Sequence, residues 1–172
     1  HTGNNEHDSY SFDEMKEEPF WGGSKINLID KFNYGKYKFE VVDDRSQQVI
    51  YSRTYSTLFG EWQTTDEAKQ TEKSFSETVV FPYPKSNVTV VFYGRDKKNN
   101  LIKKFQYQID PKNYFIKTER EAVYKSFEVI HSGDPSTNLD IVIIPDGYTS
   151  EEMDLFKKDC ERFAGYLFNA SP

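Results

Sequence analysis

The chain has 172 residues, with 22 lysines and arginines against 28 aspartates and glutamates, which gives a net charge of −6. This acidic balance argues against nucleic acid as the main partner, and no apolar run approaches the ~20 residues that a transmembrane helix needs. A single cysteine excludes an internal disulfide framework and any zinc site built from several cysteines. Aromatic residues make up 16% of the chain, which favours a β-rich globular protein with a packed core.

Residues 1–24 form an acidic N-terminal segment. Its acidic side chains stand against Lys16 alone, so the segment holds nearly the whole net charge. Pro19 and the Gly22-Gly23 pair predict a loop or a loosely attached strand. We expect a solvated terminal segment rather than an acidic arm that recruits a partner, because runs of like charge are usually solvated.

Residues 25–133 show the alternation of apolar and polar residues that is typical of β-strands. The pattern is clearest in two triplets of alternating apolar residues: Tyr37, Phe39, Val41 and Phe105, Tyr107, Ile109. Residues 49–51 form a further strand core. Residues 88–92 are apolar on both faces, which predicts a central position in their sheet. About seven short strands separated by turns predict an antiparallel, immunoglobulin-like β-sandwich.

Turn and helix signals divide this region. The polar run at residues 95–100 predicts a hairpin between the strands on either side of it. Pro82 and Pro84 predict the end of a strand at Phe81, because proline cannot donate to a sheet ladder. Residues 65–73 are the only part of the region with a helical pattern.

Residues 132–138 consist entirely of turn formers and predict a domain boundary. Residues 140–144 then form a continuous apolar run, as expected of a parallel strand that is covered on both faces. Pro145-Asp146-Gly147 predicts a turn. Thr149 and Glu152 have the spacing of a capping box at the start of a helix.

The predicted helix carries an unbroken apolar stripe at spacings of three and four residues. The stripe consists of Met153, Phe156, Cys160, Phe163 and Leu167. Residues 139–172 therefore predict the first strand and helix of an α/β domain. One such unit cannot bury both faces of its strand, so we expect the chain to be part of a longer protein.

No complete active site stands in the sequence. The three histidines, His1, His7 and His131, lack the H-E-x-x-H spacing of a zinc-binding helix. His1 and His7 lie in the acidic segment, and His131 is expected to end the last strand in a half-exposed position. Cys160 is expected to be a buried structural thiol rather than a nucleophile. We predict no catalytic, cofactor-binding or metal-binding residue.

Three other features have both a functional and a structural interpretation, and the structural one is favoured in each case. Asp146 follows the carboxyl end of the predicted strand, where α/β domains bind ligands, but Asp-Gly is also a common turn pair. A basic hairpin could grip an anionic glycan, although lysines on edge strands also prevent aggregation. The hairpin carries Arg95, Lys97, Lys98, Lys103 and Lys104. Trp21 and Trp62 could stack on sugars.

Residues 140–172 read DIVIIPDGYTSEEMDLFKKDCERFAGYLFNASP. The apolar strand, then Asp146-Gly147-Tyr148-Thr149, then acidic residues opening a helix resemble the start of the catalytic domain of the IgA peptidase family of bacterial zinc metalloendopeptidases. The preceding part of the chain, from His1 to Ser132, is similar to the β-sandwich that comes before that catalytic domain in bacterial members.

The resemblance implies a secreted, periplasmic or surface-bound bacterial enzyme that hydrolyses peptide bonds in protein substrates with one zinc ion. In such an enzyme two histidines of one helix would hold the metal, and the glutamate between them would activate its water. That H-E-x-x-H helix is absent from this sequence. Residues 1–172 are therefore expected to bind no zinc and to be inactive alone. The alternative is a surface β-sandwich module that binds a glycan or a protein.

Overall fold

A computed structural model describes residues 1–118, 124–134 and 137–170. The chain divides into two compact units, residues 1–120 and 121–172. The division falls earlier than the boundary that the sequence predicts at residues 132–138. The acidic segment 1–24 belongs to the same compact unit as the strands that follow it.

The N-terminal unit is built on a four-stranded antiparallel sheet. Its strands are β3 (Tyr37–Asp43), β4 (Val49–Tyr55), β6 (Val88–Arg95) and β7 (Leu101–Ile109). The spatial order is β4-β3-β6-β7. Strand β6 therefore lies between two neighbours, which confirms the central position predicted from its apolar residues on both faces.

The predicted hairpin joins β6 to β7. Its turn is held by the Asp96 carboxylate, which accepts hydrogen bonds from the main-chain N–H groups of Lys98 and Asn100, each at 2.8 Å. Asn99 adopts a left-handed φ of 67°, a conformation that asparagine tolerates better than most residues. The register then pairs Val90 with Tyr107 across the two strands.

A second, much smaller sheet involves the acidic segment. Its strands are β1 (Thr2–Gly3), β2 (Asp8–Ser9) and β5 (Lys73–Ser74), with β1 in the centre and antiparallel to both neighbours. Residues 2–3 and 8–9 of the acidic segment are thus paired in strands, whereas most of residues 10–24 are irregular and exposed. The two antiparallel sheets give a sandwich-like β fold, but the strands of the second are too short to match a full immunoglobulin sheet.

The alternating residues of the large sheet form the main core, as predicted. Phe39, Val41, Tyr51, Val88, Val90 and Ile109 are all buried on one face. Partly buried side chains from outside the sheet pack on this face: Met15, Trp21, Leu28, Val79 and Phe81. Phe81 contributes this contact from an irregular segment, so the strand predicted to end there is not formed.

Helical structure in this unit lies earlier than predicted. Helix α1 spans Leu58–Trp62 and is capped by Thr57, whose hydroxyl accepts a hydrogen bond from Gly60 N at 3.1 Å. The predicted helix at residues 65–73 is reduced to one 3₁₀ turn, Glu67–Lys69. Phe59, Trp62 and Ala68 form a second buried cluster, on which Phe75 packs.

The outer edge of β4 is covered by residues 27–30. Ser52 N donates to the Leu28 carbonyl at 3.0 Å, and Thr54 N donates to the Asp30 carboxylate at 2.7 Å. Because its main-chain groups are engaged in this way, this edge offers a poor template for pairing with another chain.

The C-terminal unit contains helix α2, Met153–Asn169. The predicted capping box is present: Thr149 and Glu152 bond reciprocally, and a single 3₁₀ turn leads into the helix. Residues 140–144 form no strand and are largely exposed, so the predicted first strand of an α/β domain is not formed here. Among the described residues, no helix has the length and apolar character needed to cross a membrane.

Candidate functional site

A buried polar cluster surrounds His1 in the N-terminal unit. The imidazole is fully buried, with Nδ1 3.0 Å from Glu77 Oε1 and Nε2 3.1 Å from Asp8 Oδ2. Lys104 Nζ lies 2.6 Å from the other Asp8 oxygen. These four side chains are named here the His1 cluster. Cationic and anionic groups alternate along it, and its members come from parts of the chain that are remote in sequence.

Aromatic rings enclose the imidazole. Tyr10 stacks on it at a centroid distance of 4.0 Å, Phe59 lies at 3.9 Å, and Tyr37 presents an edge at 5.2 Å. Burial raises the pKa of the Tyr10, Tyr37 and Tyr55 phenols, so all three stay protonated near neutral pH. The rings exclude water, which strengthens the electrostatic contacts inside.

The carboxylates determine the protonation state of His1. Burial is the largest single effect and lowers the pKa of the imidazole, but the hydrogen bonds and charges of Asp8 and Glu77 together outweigh it and raise the pKa above 6.5. The hydrogen bond from His1 in turn lowers the pKa of Asp8 to about 2, with a further contribution from Lys104. Since the ring is enclosed, it is not placed to act on an external substrate.

The other two histidines are exposed. His7 pairs with Glu72 at 2.9 Å, and His131 pairs with Glu128 at 3.1 Å. His131 lies outside any strand and in the C-terminal unit, unlike the half-exposed strand end predicted for it. Both pairs are solvated, and neither belongs to a group of three or more metal-ligand side chains among the described residues.

Zinc coordination does not fit the described residues. Nowhere in the three described ranges are three or more histidine, cysteine, aspartate or glutamate side chains arranged to hold a metal ion. The His1 cluster combines one histidine and two carboxylates, but both ring nitrogens face carboxylate oxygens at hydrogen-bond distance. A zinc-bound imidazole must instead turn a free lone pair toward the metal.

The basic hairpin is engaged in structural contacts. Arg95 donates from Nε to the Gly35 carbonyl at 2.9 Å and from Nη1 to the Asn99 carbonyl at 2.8 Å, so it ties the hairpin to the loop before β3. Lys104 binds Asp8, and Lys103 donates to Gln106 Oε1 at 2.5 Å. These contacts favour the structural interpretation over a glycan-binding one.

The tryptophans also serve packing. Trp62 is 9% exposed and donates its indole N–H to Glu67 Oε2 at 2.8 Å, so its face is not offered to a sugar. Trp21 meets the Tyr51 ring edge-on and packs against the main core. Sugar stacking on Trp62 is therefore excluded by burial.

In the C-terminal unit, the turn before α2 is locked to the helix. Tyr148 donates its hydroxyl to Asp159 Oδ2 at 2.9 Å, and Arg162 pairs with the other Asp159 oxygen at 2.7 Å. Asp146 is exposed and precedes Gly147, which has a φ of 80°. Only glycine adopts such a conformation without strain, which supports the turn interpretation of the Asp-Gly pair.

Two of the five residues of the predicted helix stripe are buried within this unit, and Met153 is half-buried. Phe156 and Cys160 are buried, and Phe156 contacts the rings of Phe127 and Tyr148. Phe163 and Leu167 are about half exposed, at 52% and 47%. The burial of Cys160 agrees with a structural thiol.

Comparison with protein-family models gives a match to the Peptidase M64 N-terminus over residues 1–106. The matched residues lie within the N-terminal unit and cover the small sheet, strands β3, β4 and β6 of the large sheet, and most of β7. The chain therefore belongs to the peptidase M64 family. This supports the resemblance to IgA peptidases at the level of a peptidase family, with a metallopeptidase as the parent and proteins as its substrates. No curated protein matches the chain.

Sequence reasoning did not find the His1 cluster. It placed His1 and Asp8 in a solvated segment and did not single out Glu77. The cluster joins side chains that are up to 96 positions apart in directly bonded pairs, and no local spacing marks it. The only available signal was indirect. If the first residues had been recognised as a strand, burial of some of their side chains would have been expected.

Proposed function

We propose that the chain is the N-terminal region of a secreted, zinc-dependent endopeptidase that hydrolyses peptide bonds in protein substrates. The match to the Peptidase M64 N-terminus over residues 1–106 carries this proposal. The zinc, the location outside the cytoplasm and an IgA-type substrate follow from the resemblance of residues 140–172. The N-terminal unit acts as an accessory domain and holds no catalytic residue.

We also propose that residues 139–172 contribute the first strand and helix of the catalytic domain. Four apolar residues around the predicted strand are more than half exposed: Leu139, Ile141, Val142 and Ile144. Phe163 and Leu167 add exposed apolar surface on α2. Full burial of each large apolar side chain contributes about 1.5–3 kcal/mol, so these residues favour packing against further strands and helices of an α/β domain.

The test of this proposal is the gene beyond residue 172 and the activity of its product. We expect an H-E-x-x-H motif within about the next two hundred codons, and a longer protein that cleaves an unstructured protein substrate. Replacement of the glutamate of that motif by glutamine should abolish cleavage, and a chelator should do so reversibly. A stop codon or a second β-sandwich would instead favour a surface binding module.

A metal analysis tests whether the zinc ligands lie outside residues 1–172. We predict that purified, tag-free residues 1–172 bind less than about a tenth of an equivalent of zinc, because the described residues offer no tetrahedral ligand set. The longer protein should carry about one equivalent. Stoichiometric zinc in the 172-residue chain would contradict the assignment of all metal ligands to the downstream part.

A further inference from the structure

His1 connects three parts of the N-terminal unit. Its main-chain carbonyl accepts a hydrogen bond from Phe75 N at 2.8 Å, which extends the pairing of β1 with β5. Its ring contacts Tyr37 on β3 of the large sheet and Phe59 on α1. The His1 ring and the Asp8–Lys104 ion pair therefore both attach the small sheet to the rest of the unit.

The hydrogen bonds of the ring require a charged imidazole. A neutral imidazole has one N–H donor and one acceptor nitrogen, whereas an ionised carboxylate only accepts. Here Nδ1 faces Glu77 and Nε2 faces Asp8. Loss of either proton would set a nitrogen lone pair against a buried carboxylate oxygen, and Glu77 Oε2 has no hydrogen-bond partner among the described residues that could compensate.

Several titratable groups face the imidazole from the elements packed on it. Asp8 comes from β2 and Glu77 from the segment after β5, while Lys104 of β7 neutralises part of the Asp8 charge. The remaining groups are phenols and one more cation near Asp8: Tyr10, Tyr37, Tyr55 and Lys36. With the ring protonated, Asp8 faces His1, Lys104 and Lys36, whereas Glu77 pairs with His1. With the ring neutral, Glu77 is left without an ion-pair partner among the described residues.

We propose that His1 is a proton-operated latch that docks the small sheet on the large sheet while its ring is charged and loosens this docking when the ring loses a proton. The latch is a conformational device of the N-terminal unit. It does not depend on the peptidase activity of the parent protein. It acts through the residues of β1, β2 and the segment around Glu77.

The pKa shifts give the direction of the pH dependence. The pKa of His1 is raised in the folded chain, so its contribution to stability is complete below pH 6.5 and is lost as pH rises through the raised value. The pKa of Asp8 is lowered from 3.8 to about 2, so its contribution is present above pH 3.8 and is lost as pH falls toward 2. The latch is therefore closed between these two limits and opens toward alkaline pH.

The experiment compares urea unfolding of the 172-residue chain from pH 5 to pH 9 for the wild type, His1→Gln and His7→Gln. Above pH 6.5 the unfolding equilibrium constant of the wild type should rise by up to about tenfold per pH unit more than that of His1→Gln. His7→Gln is the matched control, because His7 forms an exposed pair with Glu72 of similar length. Its pH dependence should follow the wild type.

A measurement on the unmodified chain keeps the proposal testable if His1→Gln does not fold. The ring ¹⁵N shifts of His1 should show two protonated nitrogens at pH 6.5. A singly protonated His1 ring at pH 6, or an unchanged pH dependence in His1→Gln, would overturn the latch.

Discussion

Replacing Phe59 by alanine is expected to lower the free energy of unfolding of the N-terminal unit by about 3–5 kcal/mol. Phe59 has no exposed surface, and its ring meets Trp62 at 5.8 Å, Phe75 at 5.7 Å and His1 at 3.9 Å. The truncation removes the transfer free energy of the ring and leaves a cavity between three aromatic groups that cannot collapse onto one another without moving α1.

Leu58 provides the matched control for this prediction. It is the neighbouring residue of the same helix and is 73% exposed, so Leu58→Ala should change the free energy of unfolding by no more than about 0.5 kcal/mol. Both tryptophans lie in the N-terminal unit, so their fluorescence during urea unfolding reports on this unit. A Phe59→Ala loss below about 1 kcal/mol would contradict the packing described here.

Amide protection against hydrogen exchange should be much higher in the large sheet of the N-terminal unit than in helix α2. Amides of β6 lie in the centre of the large sheet and should exchange only on global unfolding of their unit. Helix α2 buries only Phe156, Cys160 and Ala164 of its 17 residues, so it should open locally at low cost. A difference of about 4 kcal/mol in opening free energy corresponds to roughly a thousandfold difference in protection.

The measurement compares residues 88–92 with residues 152–167 in the 172-residue chain. At least a hundredfold lower protection is expected in the helix, about 2.7 kcal/mol in opening free energy. In the longer enzyme that we propose, the helix should gain protection as its exposed apolar face is covered. Equal and concentration-independent protection of both segments in the 172-residue chain would show that residues 139–170 are an integral part of the N-terminal fold.

Strands and helices were predicted correctly where the contacts that stabilise them are local or repeat along one element. The alternation at Tyr37, Phe39 and Val41 predicted the buried face of β3, because side chains of a strand alternate between its faces. The capping box of Thr149 and Glu152 predicted the start of the helical segment, since both partners lie within one turn.

Elements that depend on distant partners were misjudged. Residues 140–144 have the apolar character of a buried strand, but a strand forms only where neighbours satisfy its main-chain groups, and no such neighbour is present among the described residues. Phe81 also lies outside a strand, but its side chain finds an apolar surface and packs on the main core. Burial of a side chain does not require that its main chain pairs in a sheet.

The sequence by itself determined the β-rich character of residues 25–118, the hairpin of β6 and β7, the amphipathic helix α2 and the peptidase resemblance. Tertiary structure alone decided that the acidic segment pairs with β5 and that His1 is buried between Asp8 and Glu77. Periodicity reports which face of an element is apolar, and it carries no information about which distant residue meets that face. The charge of a side chain is equally uninformative about its burial, because a carboxylate is buried only where the fold brings a suitable partner to it.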